Sequence, residues 1–201
     1  MMNWKLVAIP VIGYILGAIP FSYAITRWKT GGDIREMGSR NVGATNVLRT
    51  SGKVAGLAAL FLDVLKGIIA VFIGKLLGGT EFWGACAGFC SIVGHSFPVF
   101  LRFRGGRSVA TGAGSFLVLC PFGILSAIGV FIIMLYSFRI VSLSSIVASA
   151  SFPVFAWIYG ESKGVILWGA ISAGWIILRH WENLVRLLHG TERKMRDRKS
   201  A

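Results

Sequence analysis

The chain has 201 residues, 55% of them hydrophobic and 14% charged, with a mean hydropathy of +0.71 and a formal net charge of +13. A soluble domain carries roughly 25% charged residues, so this composition excludes an ordinary water-soluble globule and points to a membrane protein rich in cations. Apolar runs cover most of the chain and leave no room for a separate soluble domain.

The first run, Trp4 to Thr26, is long enough to cross a hydrocarbon core of roughly 30 Å. It leads through Gly17, Ala18 and Pro20 into a basic loop, which reads as a first span and not as a cleavable signal. Further runs follow at Val54 to Gly74, Phe82 to Phe100, Val109 to Ser137, Ser142 to Tyr159 and Gly164 to Leu178. At about 1.5 Å per residue a single helix over Val109 to Ser137 would be about 43 Å long, oversized for the bilayer, and Pro121, Phe122 and Gly123 lie near its middle. That run therefore predicts two short crossings, seven in all. One tilted helix there, with Ser142 to Leu178 as a single broken crossing, would give five. The expected fold is an all-α integral membrane protein, a polytopic helical bundle whose 26 glycines suit close helix packing. Cys86 and Cys90, four apart on one helical face, and Cys120 form no CxxC pair and read as core packing.

Net charge of this size suits nucleic acid or anionic lipid, and the distribution decides between them. Arg27, Lys29, Arg35, Arg40, Arg49 and Lys53 lie between the first two spans; Arg102, Arg104 and Arg107 follow the third; Arg139 sits alone; Arg179, Arg186, Arg193, Lys194, Arg196, Arg198 and Lys199 form the tail. All but four of the 21 basic residues thus fall in loops that can share one face, with Lys5, Lys75 and Lys163 opposite and Lys66 inside a span. No nucleic acid is expected. The bias places the N-terminus outside and the C-terminus in the cytoplasm.

Four polar segments then meet on the cytoplasmic side. In GSRNVGATNVLRT, Gly38 to Thr50, small residues let successive backbone N–H groups face one anion, a helix start near Thr45 or Asn46 adds its dipole, and Arg49 offers a two-pronged phosphate contact. A capped, solvated loop explains that segment equally well. GHSFPVFLRFRGGRSVATG, Gly94 to Gly112, sets Arg102, Arg104 and Arg107 around Gly105 and Gly106, which suits an oxyanion or phosphate, with His95 as a candidate proton donor or a structural histidine. FRIVSLSSI carries Arg139 and Ser142 at a turn into a span. RHWENLVRLLHGTERK places His180, Asn183 and Arg186 at spacing three on one helical face, or forms an amphipathic lipid-binding helix through Leu184, Leu187 and Leu188. Within the membrane, Asp63 and Lys66 stand three apart, can neutralise each other and would buttress the site. GxxxxGK[ST], HExxH and zinc-type clusters are absent from the sequence, so no metal or cofactor is expected.

Together the segments GSRNVGATNVLR, LDVLKG, GHSFPVFLRFRGGRSVAT, RIVSLSSI and HWENLVRLLHGTE, five ordered motifs over nearly the whole chain, resemble the bacterial acyl-phosphate:glycerol-3-phosphate acyltransferases of the PlsY type. The resemblance implies one membrane-embedded domain over 1–201, seven spans in the bacterial inner membrane, and a site on the cytoplasmic side. It implies transfer of a fatty acyl chain from acyl phosphate to the sn-1 hydroxyl of glycerol 3-phosphate, giving lysophosphatidate and phosphate, the first acylation of phospholipid synthesis. Ser39, Arg49, Arg107, His180 and Asn183 fall at family positions that hold glycerol 3-phosphate. The loop with Gly38, Asn41, Gly43, Thr45 and Asn46, together with Arg104, Gly105 and Gly106, would cradle acyl phosphate, and Arg139, Ser142 and Glu192 complete the substrate-binding set. Substrate phosphate assists proton removal in the family; His95 and His180 are the protein's own candidates. Arg104, Arg107 and Ser108 stand where the family usually reads Lys, Lys and Gly, and Trp181 where it reads Arg. A monomer is expected, with membrane lipids as surroundings. The competing class is a transporter of phosphate or small phosphate esters.

Overall fold

The computed structural model describes residues 4–195, without the side chain of Lys5, so the placements of Lys5 opposite the loops and of Arg196, Arg198 and Lys199 in the tail lie outside the described residues. All regular structure among the described residues is helical: α1 (Trp4–Ala18), α2 (Phe21–Thr30), α3 (Ala44–Ser51), α4 (Lys53–Gly78), α5 (Glu81–Ser96), a 3-10 turn (Val99–Leu101), α6 (Val109–Leu119), α7 (Pro121–Phe138), α8 (Val141–Ile158), α9 (Lys163–Arg179) and α10 (Trp181–Leu188).

The run from Val109 to Ser137 is broken in two. Cys120 adopts φ −145° and ψ 72°, and Pro121 opens α7 at the first helical position, where its missing N–H costs no hydrogen bond. Five helical stretches are long and apolar enough to cross a membrane: Leu6–Thr30, Lys53–Gly78, Glu81–Leu101, Pro121–Phe138 and Val141–Ile158. The shorter α6 and the 17-residue α9 complete the bundle.

Small residues set the packing. α1 runs parallel to α5, and a Cβ at Gly13 or Gly17 would strike the backbone of Ala87 or Ser91. α4 lies antiparallel to α5 with Gly74 against the Trp83 carbonyl, and Gly114 of α6 meets the Val64 carbonyl of α4. Such contacts let backbones approach as closely as membrane bundles require. Val71, Ile92, Phe116, Phe152 and Val165 fill the main core, while Phe61, Phe72, Leu76, Ile133 and Tyr136 point outward, as suits lipid-facing helices. A second, smaller core joins Ile34 and Val42 to Val47, Ala59 and Leu101, and fastens the first polar loop onto α3, α4 and the 3-10 turn.

The ends of the bundle differ. Lys75 pairs with Glu81 at 3.6 Å between α4 and α5, and Gly164 at the start of α9 packs near Phe82 of the same turn. The basic loops meet at the other end, where Arg35 donates to the Leu101 carbonyl and Arg193 to the Gly38 carbonyl.

Candidate active site

Two of the four polar segments are wired together through one carboxylate. Glu192 Oε1 accepts from Ser142 Oγ at 2.8 Å and from Asn183 Nδ2 at 2.6 Å, while Oε2 accepts from Arg186 Nε at 2.7 Å. Burial pushes the Glu192 carboxyl up, but the hydrogen bonds from Arg186, Ser142 and Asn183 outweigh it and hold the group below its ordinary value. The tail that follows is pinned at two points, by Arg193 Nη1 on the Gly38 carbonyl at 3.0 Å and by Met195 N–H on the Arg139 carbonyl at 2.7 Å. Arg139 itself caps α7 in the left-handed region, φ 58°. Glu192 and Ser142, expected to bind substrate, are therefore occupied in orienting Asn183 and Arg186. Spacing puts Arg186 on the helical face of Asn183, but only the fold reveals it as an ion-pair partner.

Asn183 is 2% exposed, and its Oδ1 has no hydrogen-bond partner among the described residues. Beside it His180, also buried, donates through Nδ1 to the Ile176 carbonyl at 2.7 Å. A carbonyl only accepts, so Nδ1 carries the proton and Nε2 keeps a lone pair. Burial pushes His180 down to about 4, against the hydrogen bond to Ile176 and with help from the charge of Arg107, so the ring is neutral near pH 7. Arg107 is lowered by its own burial while Glu192 draws it the other way, which brings Arg107, His180 and Glu192 into one electrostatic neighbourhood.

The first loop is built around Asn46. Its Oδ1 accepts from Ser39 N–H at 2.9 Å, and the two N–H bonds of its Nδ2 are shared among the carbonyls of Ile34, Met37 and Asn41 at 3.0–3.2 Å. Asn46 is a buried pin for the loop, which corrects its assignment as a substrate contact. Gly38 has to be glycine: φ is +57°, and a Cβ would strike Asn46 Oδ1. The expected row of anion-facing amides is also shorter than the sequence implies. Ser39 N–H goes to Asn46, Arg40 N–H to Met37 and Gly43 N–H to Asn41; among the amides not so used are those of Ala44 and Thr45 in the first turn of α3, after the N-cap Gly43. Arg49 is exposed on α3 with neither hydrogen bond nor ion pair among the described residues, and Arg104 is exposed on the second loop.

The second loop folds back onto α5. Gly106 N–H donates to the His95 carbonyl at 3.0 Å, so that amide is spent, and a Cβ on Gly106 would collide with His95 Nε2 and the Val42 carbonyl. Gly105 is likewise pressed onto the His95 and Ser96 carbonyls. Gly106 thus serves close approach of the loop to α5. Ser108, at φ 63°, donates to the Ile92 carbonyl at 2.7 Å and lies 2.7 Å from Ser96 Oγ, anchoring the loop in place of glycine.

An apolar cavity of about 100 Å³ runs from this end into the bundle between α6, α7, α8 and α9, lined by Val109, Phe116, Ile128, Phe152 and Ile176. Val109 follows Arg107 by two residues, and the Ile176 carbonyl holds His180, so the cavity begins where the polar cluster stops. No local pattern in the sequence marks it.

Arginines clustered beside the mouth of an apolar cavity suit an amphiphile carrying phosphate. The family model for glycerol-3-phosphate acyltransferase matches residues 7–190. The chain belongs to that family. The glycerol-3-phosphate acyltransferase of Desulforamulus reducens is 38% identical over 200 residues, with 100% of both chains covered, and that of Dinoroseobacter shibae 43% identical, covering 93% of this chain and 91% of its own. Among solved structures, the integral membrane glycerol 3-phosphate acyltransferase PlsY (YgiH) in its glycerol 3-phosphate form superposes with a TM-score of 0.89 at 36% identity, covering 96% of each chain. Its lysophosphatidic acid form gives 0.87 at 34% identity. The chain is accordingly an enzyme, a multi-pass membrane acyltransferase.

Proposed function

We propose that this acyltransferase moves a fatty acyl group from acyl phosphate to the sn-1 hydroxyl of glycerol 3-phosphate, releasing lysophosphatidate and phosphate in the first acylation of phospholipid synthesis. The observation that carries the reading is Asn183 Oδ1, buried and without a hydrogen-bond partner among the described residues, in the neighbourhood of His180 and Arg107: an acceptor for a hydroxyl next to a cation for a phosphate.

Ser39, Arg49, Arg107, His180 and Asn183 hold glycerol 3-phosphate. Arg104, the Gly105 and Arg107 amides and the amides of Ala44 and Thr45 take the acyl phosphate, whose chain enters the apolar cavity. An acyl phosphate is a mixed anhydride with a good leaving group, so orientation and oxyanion stabilisation supply the catalysis and no covalent intermediate is needed. The hydroxyl oxygen bonds to the acyl carbon, the bond from that carbon to the phosphate oxygen breaks, and the departing phosphate takes the hydroxyl proton. Within the chain the matching proton acceptor is His180 Nε2.

One domain over residues 1–201 crosses the bacterial inner membrane seven times as a monomer, counting α6 and α9, with α1 and α2 as one crossing. The N-terminus lies outside, and the site and the C-terminus face the cytoplasm. The clustering of basic loops at one end and of Lys75 and Lys163 at the other supports this orientation. Comparing donors tests the proposal. Purified protein in lipid makes lysophosphatidate from palmitoyl phosphate and glycerol 3-phosphate; product from palmitoyl-CoA instead, or flux of glycerol 3-phosphate into liposomes without product, would overturn it.

A further inference from the structure

Asp63, Lys66 and His95 form a polar cluster in the bundle, 1%, 3% and 7% exposed. Lys66 Nζ lies 2.8 Å from Asp63 Oδ1, donates to the Ile19 carbonyl at 3.2 Å and stands 2.8 Å from His95 Nδ1. Ser22 Oγ donates to Asp63 Oδ2 at 3.2 Å, and Phe21, Val42 and Pro98 close the surroundings.

An ammonium has three donors and no acceptor. Lys66 hydrogen-bonds to the Ile19 carbonyl and to His95 Nδ1 while its charge pairs with Asp63 Oδ1, and this decides where the imidazole proton sits. With Nδ1 accepting, a neutral ring must carry its hydrogen on Nε2. The alternative, a neutral amine accepting from a protonated ring, moves the positive charge from 2.8 Å to 3.5 Å from Asp63 Oδ1. It also moves the proton from a group of intrinsic pKa about 10.4 to one of about 6.5. Both changes oppose it. His95 Nε2 lies against Gly106, where any side chain would cover it, and has no acceptor among the described residues.

We propose that the Asp63–Lys66 pair is a positioning device that locks His95 as an Nε2–H donor to the anionic oxygen held by the Gly105–Arg107 loop. His95 then stabilises charge in the transfer and does not serve as its base. The role rests on the acyl transfer proposed above. His180 is the complementary case, with Nδ1 donating to Ile176 and Nε2 free to accept. Two imidazoles held in opposite tautomers divide donor and acceptor functions between them.

With only 3 histidines in the chain, 15N-histidine labelling of the whole protein in lipid bilayers, assigned through H95Q and H180N, reads the tautomers directly. His95 is expected protonated at Nε2 and bare at Nδ1; protonation at Nδ1, alone or with Nε2, would overturn the proposal. In kinetics H95Q, whose amide N–H reaches the Nε2 position, is expected within about tenfold of wild type and H95N about a hundredfold below it. Equal losses in the two would remove the donor role. The double variant D63N/K66M discharges both partners and leaves no lone buried charge. It is expected to mix the His95 tautomers and lower kcat about tenfold with little change in KM for glycerol 3-phosphate. An unchanged tautomer and kcat would refute the positioning role, and should that variant not fold, the wild-type spectrum still decides. Absence of lysophosphatidate from wild type would strike the proposed activity and leave the tautomer assignment to stand or fall separately.

Discussion

Asn183 Nδ2 donates to Glu192 Oε1 at 2.6 Å, and the same oxygen receives Ser142 Oγ from 50 positions earlier in the chain. One carboxylate therefore sets the rotamer of a residue aimed at the substrate and ties α10 to α8. Removing it with Glu192→Ala frees Asn183 and Arg186 together. Hydrogen bonds to charged groups contribute about 1.5–3 kcal/mol, so the rate is expected to fall about a hundredfold with protein still in the membrane. Glu192→Gln keeps the Oε1 acceptor and loses the ion pair, and should fall between. Steady-state rates on purified variants check the order, and a Glu192→Ala rate near wild type would show that Asn183 holds its place alone.

Arg49 has no partner to release among the described residues, so its substitution should spare the fold. Arg49→Ala is expected to lower turnover by about 10²–10³-fold with an unchanged unfolding midpoint, and Arg49→Lys, which keeps charge without the planar fork, to recover part of it. Asn183→Ala should abolish transfer similarly. Near-normal rates in Arg49→Ala or Asn183→Ala would remove those residues from the site.

Asn46 and Gly38 predict stability effects instead. Asn46→Ala strips the Ile34, Met37 and Asn41 carbonyls and Ser39 N–H of their partner and is expected to cost about 3 kcal/mol. Gly38→Ala combines a left-handed backbone with a clash on Asn46 and should cost about 1–3 kcal/mol. Ser108→Gly relieves a left-handed residue but loses its bond to the Ile92 carbonyl; terms of about 1 kcal/mol each nearly cancel. Thermal unfolding in detergent distinguishes the three.

These contrasts mark what was legible in the sequence. The apolar runs, the break at Pro121 and the loop order are local signals, and so is the three-residue spacing of Asp63 and Lys66, which do pair. The inward turn of Asn46 is not local, because asparagine in a glycine-rich loop reads as a ligand contact until the carbonyls of Ile34 and Met37 are placed around it. Gly106 reads as part of a phosphate cradle, and nothing local shows that its N–H meets the His95 carbonyl. The Glu192 hub and the apolar cavity depend on contacts between helices far apart in sequence, for which no periodicity exists.

Acid should destabilise the protein in two stages. His180 titrates in the folded protein at about 4, below its ordinary 6.5, so the unfolded chain takes a proton first and stability falls as pH drops from about 6.5 toward 4. Glu192, held below its ordinary 4.5, contributes stability above that value and loses it as pH falls further. The unfolding midpoint should decline in the first window in wild type and less in His180→Asn; identical profiles would contradict the buried neutral ring.

The most direct test is phosphate release by the purified wild-type protein in lipid, given palmitoyl phosphate with and without glycerol 3-phosphate and without acyl-CoA. The account predicts phosphate and lysophosphatidate in equal amounts, and only when both substrates are present. Phosphate release without the acceptor, or none from folded protein with both, would contradict it.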